Sequence, residues 1–102
     1  FYLIGKYQKG IDDFNRLLSD YTKNADVYFF RGKCYFELRK PQLAFNDFST
    51  SVGGKSKYIK EAYNFMAILG EVLNKDFCKY FKKSCELGYE DACTNFKIAK
   101  CE

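Results

Sequence analysis

A spacing of about 34 residues recurs along this chain, and no other feature of the sequence constrains its fold as strongly. At each occurrence, a small or apolar residue is followed four positions later by phenylalanine: Gly10 and Phe14, Ala44 and Phe48, Phe77 and Phe81. The first two occurrences are 34 residues apart and the last two are 33 apart. Residues four positions apart lie on one face of a helix, so the spacing predicts similar helical units stacked along the chain.

Within each unit, apolar residues recur at steps of three and four, which is the pattern of a helix with one packed face. In the clearest segment, Asn24 or Asp26 caps the start by accepting a hydrogen bond from a free amide, and Pro41 ends the helix and opens the next one. The truncated first unit is expected to keep the end of one helix and a second helix at Lys9–Tyr21. The later helices are predicted at Ala25–Leu38, 41–52, Tyr58–Asn74, Asp76–Leu87 and 90–100.

The middle unit reads Tyr28-Phe29-Phe30-Arg31-Gly32-Lys33-Cys34-Tyr35 and then Ala44-Phe45-Asn46-Asp47-Phe48. It resembles a tetratricopeptide repeat, whose pattern runs W-x2-L-G-x2-Y and then A-x3-F, with Tyr28 in the Trp position and Arg31 in the Leu position. The resemblance implies an all-α fold: a right-handed α-solenoid of about three antiparallel helical hairpins with a C-terminal capping helix. It implies one domain, with a truncated repeat at 1–22, a repeat at 24–54, a degenerate repeat at 57–88 and a capping helix at 90–102.

The sizes of the residues fit stacked hairpins. Small residues allow two helices to approach closely where their axes cross. The small residues expected at such crossings are Gly32, Ala44 and Ala67. Large side chains fill the spaces between hairpins, because one hairpin cannot bury both of its faces; these are Tyr28, Tyr35, Phe48 and Phe81. On the middle unit we expect the stacking face to consist of Tyr28, Arg31, Gly32 and Tyr35.

Four of the five cysteines lie in the last two predicted helices or directly after them. Cys78 and Cys85 share one helix face, as do Cys93 and Cys101, and a turn around residues 88–89 places Cys85 opposite Cys93 and Cys78 opposite Cys101. The spacing alone leaves open disulfides between the opposing residues or reduced thiols buried between helices. It disfavours a four-cysteine metal site, because ligands two turns apart on each helix do not converge on one ion.

The segment Cys85–Cys93 also resembles the turn of cysteine-rich Sel-like repeats, which are relatives of tetratricopeptide repeats. In that family a cysteine pair with this spacing bridges adjacent helices, so the resemblance implies a Cys85–Cys93 disulfide and extends to Cys78–Cys101. Disulfides persist in oxidising compartments. Bridged cysteines therefore predict a periplasmic, cell-surface or secreted protein, and reduced ones a cytoplasmic protein. The fifth cysteine, Cys34, is expected to be a small buried side chain.

The sequence shows no recognisable catalytic constellation. Histidine is absent, which removes the commonest general base and the commonest metal ligand. The sequence has no phosphate-binding glycine loop, and its acid pairs, Asp12-Asp13 and Glu90-Asp91, are expected at or near helix starts, where carboxylates favour the helix dipole. We therefore expect no enzyme activity, no cofactor and no bound metal.

Charge and hydropathy exclude two further classes of partner. The net charge is +4, but lysines alternate with acids, as in Lys60-Glu61 and Lys75-Asp76, which indicates a mixed surface and no nucleic-acid patch. No apolar run reaches the ~18 residues needed to span a membrane, so we expect no membrane insertion. Because the chain begins at Phe1 inside an apolar stretch, we expect it to be part of a longer protein.

In tetratricopeptide repeats the first helix of each hairpin lines a concave groove, so the resemblance implies a partner-binding face. The stripe beside the stacking residues is expected to form it: Asp26, Phe29, Phe30, Lys33, Phe36 and Glu37, continued by Asn64, Phe65, Ile68, Glu71 and Val72. Phenylalanines are costly on a surface with no partner. Two explanations remain open, a groove that binds an apolar or extended peptide, and a face covered by upstream repeats or by a dimer partner.

The predicted function is a protein–protein interaction scaffold that binds a peptide or a segment of another protein in this groove. The alternative is a structural role, as the C-terminal cap of a longer exported solenoid with no binding site of its own. The two functions differ in whether the apolar stripe is needed for binding or only for packing.

Overall fold

The computed structural model describes residues 2–19 and 24–101. Over these residues the regular secondary structure is α-helix, with no β-strand. The helices are α1 (Tyr2–Ser19), α2 (Ala25–Glu37), α3 (Pro41–Val52), α4 (Ile59–Val72), α5 (Phe77–Glu86) and α6 (Glu90–Ile98). The predicted all-α fold is therefore confirmed.

Each helix packs against its neighbours in the sequence. Contacts join α1 to α2, α2 to α3, α3 to α4, α4 to α5 and α5 to α6. Between α4 and α5, for example, the buried Ser84 donates a hydrogen bond of 2.6 Å to the carbonyl oxygen of Lys60. The core is thus assembled mainly from contacts between consecutive helices.

Helix α2 begins and ends close to the predicted positions. The side chain of Asn24 accepts a hydrogen bond of 2.8 Å from the amide of Asp26, so Asn24 is the N-cap. After the helix ends at Glu37, Arg39 adopts a left-handed conformation (φ 59°) and Pro41 opens α3. A proline in the first helical turn needs no amide donor, which is why the new helix can begin there at once.

Left-handed residues also follow α4 and α5. Asn74 has φ 56° and Gly88 has φ 99°. Asparagine and glycine enter this region more readily than other residues, so both positions stop a helix. The predicted helix Tyr58–Asn74 is accordingly longer than the helix that forms, Ile59–Val72.

Helix α1 differs from the prediction. The sequence predicts the end of one helix and then a second helix at Lys9–Tyr21, but α1 is continuous over Tyr2–Ser19. The predicted end at Tyr21 lies outside the described residues. The segment contains no proline, and its glycines, Gly5 and Gly10, lie within the helix without breaking it.

Because α1 is continuous, one of the two acid pairs does not lie at a helix start. Asp12 and Asp13 lie in the middle of the helix, so the prediction of a helix start is wrong for them. Asp13 forms an ion pair with Arg16, one turn further along. Glu90 and Asp91 do occupy the first turn of α6, where negative charge is favourable.

The main core is a cluster of side chains from α2, α3 and α4. Phe48 of α3 is fully buried, stacks on Phe65 of α4 with ring centroids 4.9 Å apart, and meets Phe29 of α2 edge-on at 5.6 Å. The buried members of the cluster are Phe29, Ala44, Phe45, Phe48, Ala62, Met66 and Leu69. Two positions of the repeat spacing, Ala44 and Phe48, therefore lie at the centre of the core.

A smaller cluster lies between α4, α5 and α6. Its buried members are Ala67, Phe81 and Ala92. Half-buried side chains pack around them, among them Phe77, Tyr80 and Phe96. The small residues predicted at helix crossings are thus buried in the main core (Ala44) and in this cluster (Ala67).

Candidate partner-binding groove

The predicted groove residues come from α2 and α4, which contact each other through aromatic rings. Phe36 meets Phe65 edge-on with ring centroids 5.0 Å apart. The predicted residues that keep some exposed surface are Asp26, Phe30, Lys33, Phe36, Glu37, Phe65, Ile68, Glu71 and Val72. Residues from both predicted stripes therefore reach the surface.

Two of the predicted groove residues are buried, so the expectation of a surface position is wrong for them. Phe29 is 3% exposed, and its ring stacks on Tyr58 at 4.8 Å. The side-chain oxygen of the buried Asn64 accepts a hydrogen bond of 3.2 Å from Asn95 Nδ2. Both α2 and α4 have neighbours on more than one side, so more of each helix is covered than a single stacking stripe predicts.

Asp26 connects the start of α2 to the turn before α4. Its Oδ1 accepts hydrogen bonds from Ser56 Oγ at 2.6 Å and from the Lys57 amide at 3.3 Å. Ser56 Oγ in turn accepts a hydrogen bond of 3.0 Å from the amide of Tyr58. These internal contacts give Asp26 a structural role.

An open cavity of about 590 Å³ lies between the C-terminal ends of α2 and α4, and we call it the α2–α4 cavity. Its lining is mostly apolar, and Val72 on its rim is 68% exposed. The lining residues are Phe36, Glu37, Arg39, Pro41, Ile68, Leu69 and Val72. Arg39 and Pro41 are not among the predicted groove residues: Arg39 lies in the turn between α2 and α3, where helical periodicity carries no information, and Pro41 opens α3, from which no groove residue is predicted.

A second cavity of about 290 Å³, the α1–α2 cavity, adjoins the first. It is lined by Tyr7, Phe14, Phe30, Lys33, Cys34 and Glu37. Glu37 lines both cavities, which places them side by side along α2. Tyr7 and Phe14 extend the candidate site onto α1, which the sequence did not predict.

The free cysteine, Cys34, lies at the α1–α2 contact. Its side chain is half-buried, and a methyl group added at Gly10 would lie 3.2 Å from its Sγ. Burial raises the pKa of the Cys34 thiol, and the charge of Lys33 opposes that rise. The side chain that was expected to be buried is therefore only half-buried, and it lines the open α1–α2 cavity.

A third cavity of about 310 Å³, the α4–α6 cavity, continues on the other side of α4. It is lined by Ile68, Glu71, Phe81, Asn95, Ile98 and Ala99. Ile68 also lines the α2–α4 cavity, so the three cavities follow one another across α1, α2, α4 and α6. Their apolar walls and isolated charges suit apolar side chains that enter from solvent.

Beside the groove, Arg31 and Asp47 connect α2 to α3. Nε and Nη2 of Arg31 each donate a hydrogen bond of 2.7 Å to the Asp47 carboxylate, and Nη1 donates one of 2.9 Å to Asn15 Oδ1. The bonds to Asp47 raise the pKa of Arg31, although burial opposes this. Arg31 thus contacts both α3 and α1. Its partner Asp47 is not predicted, because a single charge in a helical pattern does not identify its partner.

The structure brings both predicted cysteine pairs to disulfide distance. The Cα atoms of Cys78 and Cys101 are 5.5 Å apart, and those of Cys85 and Cys93 are 4.7 Å apart. Both separations fall in the range that disulfides require. The antiparallel turn between α5 and α6 is therefore closed by two nested pairs.

Residues 2–19 and 24–101 contain neither a metal-ligand cluster nor a membrane-spanning helix. In that part of the chain no group of three or more potential ligands is placed to hold a metal ion. No helix there has the length and apolar character needed to cross a bilayer. The candidate site is thus described by its apolar cavities and its scattered charges.

The resemblance to tetratricopeptide repeats rests on the sequence residues quoted above. No protein-family model and no curated protein matches the sequence. The site itself is therefore the basis for any functional conclusion.

Proposed function

We propose that this chain is a protein-interaction module of the tetratricopeptide type, a right-handed α-solenoid that binds an apolar segment of another protein along α2 and α4. The observation that carries the proposal is the α2–α4 cavity, about 590 Å³ in volume and open to solvent. Its apolar lining includes Phe36, Ile68, Leu69 and Val72. An apolar side chain bound there would remove both its own surface and that of Val72 from water.

The magnitudes require more than one anchor. Burying one apolar side chain contributes roughly 1.5–3 kcal/mol, whereas micromolar affinity requires about 8 kcal/mol. The adjoining α1–α2 and α4–α6 cavities provide further positions, since they share Glu37 and Ile68 with the central cavity. A segment that places apolar side chains in all three cavities is therefore the best-supported type of ligand.

The rim charges bear on the selectivity of the groove. Lys33, Glu37, Arg39 and Glu71 are exposed at the cavity edges. Charges of both signs alternate there, so a strongly acidic or strongly basic ligand would be attracted by some of these side chains and repelled by others. The ligand should accordingly be recognised by its apolar side chains.

A peptide library selected on the immobilised protein tests the proposal. Selected peptides should share apolar anchors, and Val72→Asp should weaken their binding, measured by fluorescence anisotropy, by about tenfold or more, because the carboxylate would have to be desolvated. Leu43→Asp is the matched control, since Leu43 is similarly apolar and exposed but lines none of the three cavities. Equal binding by the two variants, with folding intact, would count against the groove.

The alternative, a structural cap, is favoured by one feature of α6. Its exposed residues are mostly polar, as the outer face of a terminal repeat requires; they include Glu90, Asp91, Thr94 and Lys97. If no library peptide binds to the folded protein, the cap becomes the better account.

A further inference from the structure

Helix α6 buries few side chains completely, and its hydrogen bond to α4 runs from Asn95 to Asn64. Its only fully buried side chain is Ala92, whereas α4 buries Ala62, Met66 and Leu69 among others. Ile98 at its end is 73% exposed, and no side chain caps its first turn. With nine residues, α6 is also shorter than helices that persist alone in water.

The two cysteine pairs tie α6 at both ends. Cys93 lies in its first turns and faces Cys85 at the end of α5, while Cys101 follows its last turn and faces Cys78 at the start of α5. All four cysteine residues are partly exposed, and we expect a small reductant to reach them without unfolding of the chain. The covalent links therefore supply much of what keeps α6 in place.

An apolar cluster lies beneath α6. Phe81 is buried with Ala67 of α4 and Ala92 of α6, and half-buried Phe96 packs against the same cluster. One wall of the α4–α6 cavity is made by α6, through Asn95 and Ile98. Removal of α6 would open this cavity fully and expose Phe81 to water.

We propose that α6 is a cover latched by disulfides: with both bonds formed it stays docked on α4 and α5, and when both are reduced it detaches and exposes Phe81. A dithiol reductant donates two electrons and two protons to each bond, yielding four cysteine thiols and two oxidised reductant molecules. Either bond alone still tethers one end of α6, so full release requires both reductions. This inference does not depend on peptide binding in the groove.

Hydrogen–deuterium exchange of the whole chain, with and without dithiothreitol, tests the latch. Reduction should speed exchange of the α6 amides by about tenfold or more, while amides of α3 and α4 keep their protection. The fluorescence of an apolar dye such as anilinonaphthalene sulfonate should rise as Phe81 becomes exposed. Cys34→Ser is the matched control and should leave this response unchanged, because Cys34 belongs to neither pair.

Variants that keep only one disulfide distinguish the contributions of the two bonds at the two ends of α6. Cys78→Ser/Cys101→Ser should free only the C-terminal end of α6, and Cys85→Ser/Cys93→Ser only its first turns. The proposal is overturned if the α6 amides stay protected after reduction, if all helices lose protection together, or if the air-oxidised protein, alkylated in denaturant, shows five free thiols.

Discussion

Arg31 and Asp47 form a two-point ion pair across the contact between α2 and α3. Both hydrogen bonds are 2.7 Å long, and the Asp47 side chain is only 6% exposed. The Arg31 guanidinium also lies 5.4 Å from the ring centroid of Tyr28. When one partner of such a pair is removed, the other is left as a partly buried charge without a counter-ion and with little access to water.

Replacing Asp47 with alanine should therefore be strongly destabilising. We expect Asp47→Ala to lower the free energy of unfolding by about 3 kcal/mol, measured by urea denaturation followed by circular dichroism. Arg16→Ala is the control, because its pair with Asp13 is exposed and should contribute less than about 1 kcal/mol. The double variant Arg31→Met/Asp47→Leu should recover most of the loss; equal effects of Asp47→Ala and Arg16→Ala would contradict the buried role of the pair.

Gly32 lies at the closest approach of α2 and α3. An added methyl group would lie 3.1 Å from Phe48 Cε1 and 3.2 Å from Asp47 Cβ. We expect Gly32→Ala to cost about 1–2 kcal/mol in thermal or urea unfolding, since overpacking exceeds the gain in helix propensity. Gly5→Ala, also in a helix but with no atom within 4 Å of the added carbon, should instead stabilise by about 0.5–1 kcal/mol. The same sign for both variants would contradict the packing at Gly32.

Phe48 provides the test of the stacking register. It is fully buried between Phe29 and Phe65, and it occupies the phenylalanine position of the repeat spacing. Phe48→Ala should lower the free energy of unfolding by about 3–5 kcal/mol, because it leaves a large cavity. An unchanged midpoint in a thermal scan of this variant would refute the register.

The features of this fold that could be predicted from the sequence depend on helix geometry. Ala44 and Phe48 were placed in the core because residues four apart share a helix face, and Cys85 was placed opposite Cys93 because an antiparallel turn reverses the order of positions. Pro41 marked a helix boundary through its missing amide. Each of these inferences needs only the local chain and one neighbouring helix.

The features that were missed depend on the particular neighbours that a side chain meets in the folded chain, or lie outside the helices. Phe29 was assigned to the groove, yet it packs against α3 and against Tyr58 before α4. The partner of Arg31 was not found, because Asp47 lies one helix away and either sign of charge fits a helix surface. Arg39, in the lining of the α2–α4 cavity, belongs to a turn, where no periodic pattern applies.

Cys34 gives a pH-dependent prediction. Burial raises the pKa of its thiol, Lys33 lowers that pKa, and Glu37 raises it. The folded state therefore favours the neutral thiol more than the unfolded state does. This contribution to stability is present below the pKa of the unfolded chain and is lost as the pH rises through the higher pKa of the folded protein.

The rate of Cys34 alkylation by iodoacetamide, followed by mass spectrometry across alkaline pH, reports this pKa, because the thiolate is the reactive form. In the native protein the rate should rise at a higher pH than in a denatured sample. Lys33→Gln removes a nearby positive charge and should move the rise to still higher pH, whereas Glu37→Gln removes a negative charge and should move it lower. Both variants change a side chain at the rim of the same cavity. A shift in the same direction for both would therefore show that loosened packing around Cys34, and not local charge, controls the pKa of its thiol.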